Sequence, residues 1–201
     1  MSQQAGFPFS RGQALVDLHF LDLMEGELGR AENAWPGLMA LAQEMKGWHQ
    51  WLMIGRLMAA KAELALRMHR PSEAAAAATD AIKHARAMGR RKYAVIGRAV
   101  LGSALAELGR PEHALRELRR ARAGASRLRH PPSVWEADLR LARALGDGGY
   151  EAEAESALES ARASIDRFAS ELSPQRRAAF LSTMWAQNPE LGQSHSTDIR
   201  A

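Results

Sequence analysis

The chain has 201 residues, 46% hydrophobic and 25% charged, a net charge of +4 and no cysteine. This is ordinary globular composition, and the missing cysteine excludes disulfides, thiolate chemistry and cysteine-based zinc sites. Ala, Leu, Arg and Glu dominate while Val, Ile, Thr and Tyr are sparse, so the expected fold is all-α.

Residues 1–10 read as a mobile leader, without the charged and apolar regions of a secretory signal. The apolar stretch 15–24 is interrupted by Asp17, His19 and Asp22, so no membrane span is expected; a cytoplasmic location is expected, in keeping with the missing cysteine. From residue 11 a unit recurs with a spacing of 40, placing Ala34, Ala74, Ala114 and Ala154 in register after turns at Gly29, His69, Gly109 and Gly149. A period of this size marks a solenoid whose units bury their apolar faces on one another. The units read as 11–46, 48–88, 91–130 and 131–172, each a helix, a short turn and a second helix.

In the first unit, Pro36 and Gly37 fall where the register puts a helix, so its second helix is expected to start late, near Trp35, with Asn33 as cap. In the next two, Pro71 and Pro111 open the second helix, where proline is tolerated. These helices end at Gly47, Gly89, Pro131 and Pro174. A capping helix is expected over 174–186, followed by a polar tail, 187–201.

The residues that recur resemble the tetratricopeptide repeat (TPR). Leu101 and Gly102 match the family's Leu-Gly pair, Leu105 takes its usual Tyr position, and Ala114, Leu118 and Ala121 match its second helix. Leu141, Ala142, Leu145, Ala154, Leu158 and Ala161 repeat this, as do Ala62, Ala74, Ala78 and Ala81. The first unit keeps Ala34 and Leu38 but has Asp22 at the small position and Leu41 where Ala is usual. A unit of 40 rather than 34 residues is similar to the C-terminal arrays of large bacterial ATP-binding signalling and transcriptional regulators. The resemblance implies an α-solenoid scaffold that binds a protein or peptide, with an upstream ATPase or regulator domain as one partner; the chain has no P-loop of its own.

In this family the concave groove is lined by the first helix of each unit. By register the lining would include His19, Leu23, Arg56, Glu63, Arg67, Ser103, Glu107, Glu136 and Arg143, mixed charge suited to clamping a peptide. Residues 108–130 hold seven Arg against two acids, and residues 131–172 hold nine acids against four Arg. A nucleic-acid surface over Arg116 to Arg129, with Arg116, Arg119 and Arg120 on one face, is the alternative; no aromatic residues are interleaved for stacking. The favoured reading is an outer face neutralised by the next unit. Trp48, His49 and Trp51 cluster at the first junction, as inter-unit core or as an interaction hot spot. The first helix is apolar nearly all round, which suggests self-association. The His residues lack paired ligand spacing, and Ser103 lacks a nucleophile-elbow motif. The expectation is a protein that is not an enzyme and holds no cofactor or metal.

Overall fold

A computed structural model describes residues 8–191. Among them nine α-helices follow one another: α1 (Pro8–Glu25), α2 (Leu28–Glu44), α3 (Gly47–Arg67), α4 (Pro71–Ala87), α5 (Arg91–Glu107), α6 (Pro111–Leu128), α7 (Pro131–Asp147), α8 (Glu151–Ser170) and α9 (Pro174–Gln187). A 3₁₀ turn, Pro189–Leu191, ends the described chain. Each helix from α1 to α8 packs on the next, and α1, α3, α5 and α7 also pack in sequence on one another. The even-numbered helices make no such layer among the described residues. The odd helices therefore form the crowded inner layer of an α-solenoid and the even helices its outer layer.

The same backbone device closes each helix pair. Gly26, His69, Gly109 and Gly149 take positive φ, between 54° and 80°. The amides of Glu27, Arg70, Arg110 and Tyr150 each donate to the carbonyl five residues earlier, at 2.9 Å. This paired turn caps carbonyls that the helix end leaves without partners. Small residues then let the two helices close. A Cβ on Gly102 would lie 2.5 Å from Leu118 Cγ and 3.2 Å from the Ala114 carbonyl oxygen.

These turns correct the register of the first unit. Its turn residue is Gly26, not Gly29, and the alanine that lies fully buried after the turn is Ala31, whereas Ala34 is only half-buried. The first interval is thus 43 residues, and the later ones remain 40. The cause is α3, which has 21 residues where α5 and α7 have 17. One extra helical turn is added, and one residue is lost from the connection before it, Met45 and Lys46 against Met88 to Arg90.

The late start near Trp35, capped by Asn33, is also overturned. Helix α2 starts at Leu28 and runs through Pro36. An interior proline removes one amide donor, but Pro36 faces solvent while Ala31, Leu38 and Ala42 hold the opposite face in the core. At the other limits, α1 begins at Pro8, inside the stretch read as leader, and Leu191 is buried, so the stretch read as tail begins with packed residues. The remaining leader and tail residues lie outside the described residues. Helix α9 covers the last unit: the rings of Trp135, Phe168 and Phe180 stand 5.3 to 5.9 Å apart, and Met184 and Leu191 join them.

Candidate functional site

The inner layer carries a groove of about 580 Å³ that runs along the C-terminal halves of α1, α3, α5 and α7. It is lined by Glu63 and Arg67 of α3, Ser103 and Glu107 of α5, and Glu136 and Arg143 of α7, six of the residues expected from the register. Met24, Arg140 and Asp147 complete its charged and apolar wall, and Asn188 closes the end under the cap.

At the centre an ion-pair network ties three helices. Arg140 Nη2 donates to Glu63 Oε2 at 2.8 Å, Arg140 Nη1 donates to Ser103 Oγ at 3.3 Å, and Arg67 Nε donates to Glu63 Oε1 at 2.9 Å. Burial alone would push the Glu63 carboxyl up. The charges of Arg140 and Arg67 and their hydrogen bonds outweigh it, and hold the group below the usual carboxylate range. Arg67 Nη1 also donates to the Leu23 carbonyl at 2.7 Å, joining α1 to the network. Farther along, Arg143 donates to Glu190 at 2.8 Å and to Asn188 at 2.9 Å, fixing the chain beyond α9 to the groove wall.

The three groove arginines are thus engaged with carboxylates or carbonyl-type oxygens. Glu136 reaches Arg140 only at 3.8 Å. Glu107 and Asp147 are exposed and form no ion pair among the described residues. The charge left to a ligand in this groove is therefore negative.

Arg140 was not among the residues read from the repeat. One unit earlier its position holds Val100, and two units earlier Ala60, both buried and apolar. The periodicity marked it as core, and the arginine there is a single departure whose side chain is 14% exposed. Three expected lining residues, His19, Arg56 and Leu23, lie elsewhere. His19 is 1% exposed, and in the corrected register it stands where later units have Ala62, Gly102 and Ala142, the small packing site. Arg56 is held against α1, with hydrogen bonds to Gln13 and Asp17 and its guanidinium 5.2 Å from the centre of the Phe20 ring. Leu23 is buried core, and Met24, one residue on, takes the lining position of the first unit.

On the outer layer, Arg119 pairs with Glu153 at 2.7 Å, Arg120 with Glu117 at 2.6 Å, and Arg122 with the buried Asp138 at 2.6 Å. The acidic residues of the fourth unit neutralise part of the basic stretch, while Arg116 remains exposed. At the first junction, Trp51 lies beneath the Arg90 guanidinium at 3.9 Å, and the Trp48 and His49 rings stand 4.2 Å apart. Trp48 is 51% exposed, so this cluster is not closed core. Among the described residues there is no group of three potential metal-ligating side chains, and no helix is long and apolar enough to cross a membrane.

Stacked helix pairs, a positive-φ turn in each and a charged inner groove define an all-helical repeat solenoid. Its structure is similar to that of BtubC (BKLC) from P. vanneervenii, with a TM-score of 0.65 and 18% identity over 92% of this chain and 74% of that one. At that identity the likeness shows the fold. No family model matches the sequence, and no curated protein matches it.

Proposed function

We propose that the protein is a non-catalytic, TPR-like interaction scaffold whose inner groove takes a segment of a protein partner bearing Lys or Arg. The observation that carries this is the charge balance of the groove. Its arginines are internally paired, while Glu107, Asp147 and the loosely held Glu136 face the open space. An extended or helical basic segment fits such a surface, because opposite potentials steer encounter and fix register. The fold has many uses, so the argument rests on the groove and not on the solenoid itself. A place in bacterial signalling or transcriptional control, beside an ATPase or regulator domain, follows only from the resemblance of the long repeat unit to such arrays.

Selection from a displayed random-peptide library tests the reading. Enrichment of Lys- or Arg-containing peptides is expected, with affinity reduced about tenfold by Glu107→Lys combined with Asp147→Lys, on the order of 1.4 kcal/mol. Selection without basic enrichment, or binding unchanged by that double reversal, overturns it.

A second reading, self-association through α1, is favoured by one observation. Leu21 is 48% exposed, whereas its counterparts Leu64, Ala104 and Ala144 are buried against the preceding unit.

A further inference from the structure

At the opposite ends of the helices from the groove, a cavity of about 740 Å³ opens between the end of α4, the start of α5 and the end of α6. Every charged residue lining it is an arginine: Arg86, Arg90, Arg91, Arg98, Arg120 and Arg127. Against these six stands one carboxylate, Glu117, which binds Arg98 and Arg120 at 2.6 Å each. Arg98 is thereby fixed and largely buried, its side chain 18% exposed. Arg90 rests on the Trp51 ring. Arg86, Arg91 and Arg127 are exposed and form no ion pair among the described residues.

The helix end at this cavity adds to its positive potential. The N-terminal end of a helix is positive and favours anions, and α4, α6 and α8 carry Glu73, Glu112 and Glu151 there. Helix α5, like α3, α7 and α9, has no acid in its first turn; it also has no side-chain cap and begins Arg91-Lys92, directly after Arg90. Its N-terminus opens into the arginine cavity. The floor is also built: α5 and α6 close on each other because Gly124 faces Val95, where a Cβ would meet Val95 Cγ2 at 2.6 Å.

We propose that this cavity is a binding site for a small anion of two or three linked phosphates, held by Arg86, Arg91 and Arg127 with Arg98 as a pre-positioned donor. Several planar guanidinium groups around one space match phosphate oxygens in pairs, and a single carboxylate ligand would leave most of the charge uncompensated. A nucleic-acid strand is disfavoured because the basic stretch beyond the cavity is interrupted by the Arg119–Glu153 and Arg122–Asp138 pairs. The site is independent of the groove and of any peptide bound there.

Titration calorimetry at physiological salt tests it, using inorganic triphosphate, pyrophosphate and orthophosphate, with ATP and AMP to separate a free polyphosphate from a nucleotide. One saturable site is expected, tightening from ortho- to triphosphate. Arg86→Ala combined with Arg127→Ala should weaken triphosphate binding about tenfold or more, while Arg116→Ala, outside the cavity, changes it less than about twofold. Circular dichroism checks that the variants fold, and triphosphate should raise the melting temperature of the parent but not of the double variant. Absence of saturable binding overturns the proposal. So does equal weakening by Arg116→Ala, or tighter binding of a single-stranded oligonucleotide that is lost on Arg116→Ala and Arg119→Ala.

Discussion

Two residues show how single side chains depart from the repeat and what that costs. Arg140 places a charge at a position that is apolar in the preceding units, and Glu63 answers it at 2.8 Å across α5. Both are largely buried, with side chains 14% and 18% exposed. Removing one partner strands the other, so Glu63→Gln is expected to destabilise the fold by about 3 kcal/mol in urea titration. Replacing both, as Glu63→Leu with Arg140→Met, should restore most of that loss. His19 departs differently, as a ring in the small packing site. Neither of its nitrogens has a hydrogen-bond partner among the described residues. Burial lowers its pKa from the ordinary 6.5, and Asp22 offsets this only in part. The unfolded chain therefore takes up a proton that the native imidazole refuses. Stability from this group is full above about pH 6.5 and declines as pH falls toward the lowered native value, by up to about 1.4 kcal/mol per pH unit. Denaturation midpoints measured near neutrality and at mildly acid pH should show this loss in the parent and a smaller one in His19→Ala, where His130, its pKa also lowered by burial, still contributes.

Helices carry the next level of information, and here the sequence is read well where one rule acts alone. Pro71 and Pro111 mark helix starts because they sit in first turns, as observed. Pro36 misleads because a residue type that opens α4 and α6 here lies inside a helix, where burial of Ala31, Leu38 and Ala42 keeps α2 continuous. The shift from 40 to 43 residues was hidden for a related reason. An alanine happens to stand at both 31 and 34, so the wrong register still showed an unbroken alanine series. A spacing of 40 puts Leu23 level with Glu63, Ser103 and Arg143, whereas the true first interval of 43 puts Met24 level with Arg67 and Glu107. The groove residues of α3, α5 and α7 were legible because their three units share one spacing. Arg140 was not, since no periodic rule signals an arginine among core positions. The continuity of α2 makes its own prediction. With the N–H restored and no packing lost at an exposed site, Pro36→Ala should stabilise the protein by roughly 1–2 kcal/mol, read from thermal melts or urea midpoints. A destabilised variant would mean that the proline fixes a bend on which the first unit depends.

At the scale of the molecule, the two ends of the solenoid are unlike each other. The C-terminal end is closed by α9 and the 3₁₀ turn, through the Trp135, Phe168 and Phe180 rings and through Arg162 Nε, which donates to the Leu191 carbonyl at 3.0 Å. At the other end α1 shows Leu18 at 55%, Leu21 at 48% and Met24 at 56% exposure. A stacked array needs a polar outer face on its terminal unit, and among the described residues α1 supplies none at these positions. Covering Leu18 and Leu21 with the same face of a second copy would give a two-fold contact, the commonest closed arrangement. Light scattering should then show a mass that rises with protein concentration toward twice the chain mass. Leu18→Glu with Leu21→Glu should hold it at one chain, because two carboxylates brought face to face with their copies repel and lose solvent. Both positions face outward, so the double variant should keep the parent's helical content and melting temperature at low concentration. If the parent is a single chain at every concentration, the apolar face of α1 is not a self-contact. If instead the variant dimerises as the parent does, the contact lies elsewhere on the solenoid.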